Sequence, residues 1–165
     1  MNESKLKRKL LTTKEREQYG IELRKKTPIE CHADWAAQEN RPDPIKLIED
    51  QNKDRVDYLI PVRRARMSKN AFTFYRGAAR IMASDLSKTP NSSLQVQVCG
   101  DAHIANFGGY ALPKRQFVLD INDFDETLPG PWEWDLKRLA VSFYIAGRHN
   151  GMTKKASKKT GRIVV

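Results

Sequence analysis

Apolar residues recur along this chain at two spacings, and the change from one to the other divides it. Ala71, Phe74, Tyr75, Ala78 and Met82 stand three or four positions apart, the stripe of one amphipathic helix, with Ser68 just upstream as its N-cap. Earlier, Ile45, Leu47, Ile48, Val56, Leu59 and Ile60 predict short helices within residues 43–60, broken near Asn52 and stopped by Pro61. Past residue 90 the period falls to two: Leu94, Val96 and Val98 alternate with Gln95 and Gln97, as in a strand with one buried face. Gln116–Ile121 reads as a second strand. The intervening residues 99–115, rich in glycine and polar groups, read as the loop that closes one strand onto the other in a small antiparallel hairpin. After a turn at Pro129, Gly130 and Pro131, residues Trp132, Leu136, Leu139 and Phe143 mark a last amphipathic helix, with Glu133 and Asp135 in its first turn and Arg138 further along. Helices packed on such a hairpin give an α+β fold.

Composition narrows the setting. A chain of 165 residues with 39% hydrophobic and 30% charged residues suits one soluble domain or a piece of a larger one. No apolar run approaches the roughly 20 residues of a membrane helix, and the opening residues hold no continuous apolar segment of signal-peptide length, so a cytoplasmic protein without a membrane partner is expected. Cys31 and Cys99 lie far apart and outside any Cys-x-x-Cys spacing, so both are expected as free thiols.

The net charge of +10 is concentrated at the ends. Residues 1–26 carry nine Lys or Arg against four Glu, and residues 148–165 six against none. Without interleaved aromatics, such ends read as a flexible leader over residues 1–26 and a solvated basic tail over residues 152–165, and they argue against nucleic acid as a partner. Between Cys99 and Asp135 the sign reverses: Asp101, Asp120, Asp123, Asp125, Glu126, Glu133 and Asp135 face only Lys114 and Arg115. An acidic centre calls for a cation.

Phosphoryl transfer needs a carboxylate to orient and deprotonate the attacking hydroxyl, and an amide oxygen with a second carboxylate to hold magnesium against the phosphates. Asp101 followed five residues later by Asn106 has the spacing of a kinase catalytic loop, base and magnesium ligand respectively. A metal-binding Asp is then expected at the next strand end. Asp123-Phe124-Asp125 resembles the kinase Asp-Phe-Gly segment with its glycine replaced, while Asp120 directly follows the apolar stretch Phe117-Val118-Leu119; both remain candidates, with Asp125 beside them. Asp and Asn are also ordinary turn and capping residues, but their combination with Gly100, His103 and a dense acidic strand end favours chemistry. His103 is read as orienting backbone or filling a polar pocket, because a base is already in place.

Residues 41–151 resemble the bacterial domain-of-unknown-function 2252 family. The likeness is carried by Arg64, Arg66 and Met67, by the run from Ala71 to Ala79, by the run from Cys99 to Gly108, and by Asn122-Asp123-Phe124-Asp125-Glu126-Thr127 with Pro129-Gly130-Pro131-Trp132-Glu133-Trp134-Asp135-Leu136. More distantly the loop is similar to that of aminoglycoside and other small-molecule phosphotransferases, His-Gly-Asp-x-His-x-x-Asn, with Cys99 in place of the first His. That resemblance implies the N-terminal part of a protein-kinase-like domain over residues 27–151, magnesium and ATP as cofactors, a small-molecule or protein substrate, and a structural role for Asp135 in the Asp-Leu pair that opens the following helix. The chain departs from kinases in having no Gly-x-Gly-x-x-Gly loop and no Val-Ala-Ile-Lys strand ahead of the site. Arg64, Arg66 and Arg76 are the expected substitutes on the phosphates. Residues 152–165 depart from the resemblance and read as the product of truncation or frameshift. A metal-dependent phosphoesterase and a non-catalytic remnant or binding module stand as alternatives.

Overall fold

A computed structural model describes residues 11–33 and 35–164. The leader contains helix α1 (Thr13–Lys26), opened by a capping box in which Thr12 accepts from Glu15 N–H and Glu15 answers through Thr12 N–H. Residues 1–10 lie outside the described part. Helix α2 (Pro44–Asn52) follows with Asp43 as its cap, then a 3₁₀ turn (Asp57–Leu59) and α3 (Ile60–Met67). Pro61 opens α3 instead of stopping a helix, because a first-turn N–H has no intrahelical acceptor to lose.

The single helix expected around residues 71–82 is two, α4 (Ala71–Arg76) and α5 (Ala79–Leu86). The break falls at Gly77, where an added Cβ would lie 2.6 Å from the Met67 sulfur, so α3 crosses where a side chain would stand. Ser68 ends α3, and the cap of α4 is Asn70, whose Oδ1 accepts from Thr73 N–H at 2.9 Å while Asn70 N–H donates to Thr73 Oγ1 at 3.1 Å. Ile48, Met67, Ala78 and Ile81 form the buried cluster that joins α2, α3 and α5.

The expected hairpin is replaced by two separate antiparallel ribbons. Strand β1 (Gln95–Val98) pairs with β4 (Leu128–Pro131), Val96 opposite Gly130. Strand β2 (Phe107–Leu112) pairs with β3 (Gln116–Ile121), Gly108 opposite Asp120. The residues read as loop therefore contain a strand, hidden by Gly108 and Gly109. Gly109 must be small because the Phe117 ring crosses it, 2.4 Å from where a Cβ would sit. Lys114 and Arg115 make the reversal in the left-handed region, φ 70° and 57°. Pro129, Gly130 and Pro131 belong to β4, and of the predicted buried face of β1 only Val98 is buried.

Helix α6 (Glu133–His149) runs from β4, and α7 (Lys154–Ile163) folds back on it. The tail read as solvated is thus a helix with one packed face: Ser157 is buried, Thr160 and Gly161 are half-buried, and Lys154, Lys155, Lys158, Lys159 and Arg162 stay exposed. The architecture is α+β, and no helix among the described residues is long and apolar enough to cross a membrane. Cys31 and Cys99 are free thiols.

Candidate functional site

The site is built on the loop that leaves β1. Gly100 adopts φ 84°, and a Cβ there would lie 2.1 Å from the Glu126 carbonyl oxygen, so the loop can pass Glu126 only as glycine. Helix α6 then holds the loop at three successive places on one face. Asp135 accepts from Cys99 N–H at 2.6 Å and Gly100 N–H at 3.0 Å. Arg138 Nε donates to Asp101 Oδ1 at 2.6 Å. Ser142 Oγ accepts from Ile104 N–H at 2.9 Å. The spacing of three and four residues places all three on one helical stripe.

Arg138 is 2% exposed. Its Nη2 also donates to the Tyr75 carbonyl at 2.8 Å, and its guanidinium lies 4.5 Å from the centre of the Tyr75 ring. Tyr75 in turn donates its hydroxyl to the Arg138 carbonyl at 2.9 Å, and burial pushes that phenol up. Burial raises the Asp101 carboxyl above the usual carboxylate range; the charge of Arg138 and its hydrogen bond oppose that rise, and Asp123 adds to it. His103 Nε2 stands 3.6 Å from Asp101 Oδ2. Burial, with Arg138 and Arg76 nearby, brings His103 down to about 4, so it is neutral at pH 7.

Asn106 is buried, and its amide is fixed in one direction: Nδ2 donates to the Asp101 carbonyl at 3.1 Å and the Asp123 carbonyl at 3.2 Å. Among the described residues the amide oxygen accepts no hydrogen bond. Cys99 Sγ donates to the same Asp123 carbonyl at 3.3 Å, and burial pushes its thiol up. Asp123 Oδ1 accepts from Asp125 N–H at 3.0 Å, a turn that shapes the acidic strand end.

Asp101, His103, Asn106 and Asp123 meet at one cavity of about 930 Å³, whose other walls carry Arg66 and Arg76. A neighbouring cavity of about 240 Å³ shares Asp101, Asp123 and Arg76 and adds Asp125 and Glu126. Three predicted residues fall outside both, one of them Asp135, which holds the loop backbone from α6. Asp120 sits exposed on β3 with Oδ1 turned back to Ile121 N–H at 2.8 Å, and Arg64 stands 4.0 Å from Glu49 on the surface of α3. Among the described residues no three His, Cys, Asp or Glu side chains are grouped closely enough to hold a metal by themselves.

Residues 55–165 match a family described as an uncharacterized protein conserved in bacteria, DUF2252. The chain belongs to the DUF2252 family. The match takes in every site residue named above and continues through α7. No curated protein and no solved structure matches the chain.

In this DUF2252 domain several site residues carry no signal in the apolar pattern. Arg138 and Ser142 lie on a helix that reads as merely amphipathic, and Tyr75 reads as core. Their signal is a polar stripe, Asp135, Arg138 and Ser142, on the side of α6 that turns away from solvent. Arg63 is another. It donates to Asn52 Oδ1 at 3.2 Å and to the Gly77 carbonyl at 2.8 Å, tying α2 and the α4–α5 break to the cavity wall.

Proposed function

We propose that the cavity is the site of magnesium-dependent phosphoryl transfer from ATP to a hydroxyl acceptor. The observation that carries this reading is the meeting of Asp101, Asn106 and Asp123 at one cavity, with the Asn106 amide held so that its oxygen is free. Arg138 occupies Asp101 Oδ1, so Oδ2 takes the acceptor proton; a carboxyl raised by burial suits proton transfer better than an ordinary one. The Asn106 oxygen and the Asp123 carboxylate would hold magnesium, which when bound supplies charge neutralisation along the phosphates. Magnesium on a nucleotide takes one or two protein ligands and fills its shell with phosphate and water, so two groups suffice without a closed ligand cluster. Arg76, which lies close enough to Asp101 and His103 to act on both, is placed for the donor phosphates. A two-metal phosphoesterase would ask more carboxylate and histidine ligands than meet here.

The test is calorimetry of ATP binding with and without magnesium. Binding is expected only with magnesium, abolished in Asp123→Ala and retained in Asp101→Asn. ATP bound equally well without magnesium, or by Asp123→Ala, sinks the reading.

A further inference from the structure

The larger cavity has two chemically different ends. At one, Asp101 and Asp123 adjoin Asp125 and Glu126. At the other, Arg66 in the last turn of α3 and Lys69 in the α3–α4 connection stand with Asp54 and with apolar Val56, Leu59 and Val62, the last three 53%, 47% and 44% exposed.

The cations around this cavity divide by whether they have a partner. Arg55 pairs with Glu126, Arg63 is spent on Asn52, Gln51 and the Gly77 carbonyl, and Arg138 holds Asp101. Arg66, Lys69 and Arg76 take part in no side-chain hydrogen bond or ion pair among the described residues. On the side of Arg66 and Lys69 the cavity wall carries one carboxylate, Asp54, with no ion pair to either cation, so an anionic ligand supplies a counter-charge that they lack. The exposed aliphatic side chains beside them gain from an apolar body on the same ligand.

We propose that this end receives the acceptor, and that the acceptor is a small organic anion, a tetrahedral anionic group on an apolar body. Calling the ligand the acceptor rests on the phosphotransferase reading above, in which the donor phosphates lie with Asn106, Asp123 and Arg76. The anion site itself does not.

Phenyl phosphate is the probe, titrated calorimetrically into the full chain in magnesium-free buffer. It is expected to bind without magnesium and at least tenfold more tightly than inorganic phosphate, which lacks the apolar body. The double variant Arg66→Ser, Lys69→Ser should weaken it at least tenfold, whereas Asp120→Ala, on exposed β3 outside both cavities, should change it less than twofold. Both substituted residues are exposed, and an unchanged melting curve shows that the double variant is folded. Binding should also persist under saturating ATP and magnesium. Failure of phenyl phosphate to bind, its displacement by ATP and magnesium, or indifference to the double variant overturns the proposal. If phenyl phosphate binds as described while ATP does not bind at all, the anion site stands and the phosphotransferase reading falls.

Discussion

Asp101 and Arg138 show how much of this site depends on one buried contact. The guanidinium is enclosed by Asp101, the Tyr75 carbonyl and the Tyr75 ring, so its charge has no route to water. Asp101→Ala therefore leaves a buried cation without a counter-charge and is expected to cost about 3 kcal/mol of stability. Asp101→Asn also removes the counter-charge but keeps an acceptor oxygen for the guanidinium, and is expected to cost less, about 2 kcal/mol. Urea unfolding of the two variants separates these values, and a loss below about 1 kcal/mol in Asp101→Ala would mean that Arg138 does not need the carboxylate. The meeting of Asp101, Asn106 and Asp123 at one cavity was legible in the sequence because its signal is local, a five-residue spacing and an acidic strand end. Arg138 was not, because its partner lies 37 residues away and nothing in an amphipathic period marks one polar residue as buried.

Among the elements, the pairing of strands and the helix of the tail were the parts the pattern did not reveal. Alternation identifies a strand without naming its partner, and β1 found β4 across the whole loop instead of closing onto β3. The α7 face is small and polar, Ser157, Thr160 and Gly161, so no apolar stripe announces it. Its packing is close all the same: a Cβ on Gly161 would meet the Ala140 carbonyl at 3.1 Å, and one on Gly147 would meet Ser157 Oγ at 3.0 Å. Gly161→Leu is expected to lift α7 from α6 at a cost of about 1–3 kcal/mol, the usual range for overpacking. Amide hydrogen exchange is the measurement. Faster exchange through residues 154–163 supports the packing, and unchanged exchange in a folded variant contradicts it.

For the molecule as a whole, His103 ties stability to pH. Its folded form binds a proton only near pH 4, while the unfolded chain binds it near the ordinary value of 6.5. The stabilisation is therefore complete above pH 6.5 and is lost as pH falls toward 4, a change of up to about 3 kcal/mol. Asp101 acts in the opposite sense: its carboxyl is raised, so its contribution is present at low pH and lost as pH rises, which offsets part of the His103 slope at the acid end. Denaturant unfolding between pH 7 and 4.5 is expected to show a steeper loss in the wild type than in His103→Gln; parallel curves would contradict the assignment. The three anchors on α6 have a mechanical consequence as well. A loop fastened to one rod at Asp135, Arg138 and Ser142 keeps few independent degrees of freedom, so a roll or slide of α6 carries Gly100, Asp101 and Ile104 together, like teeth on one gear. With α7 braced against the same rod, that gear has its bearing in the basic tail.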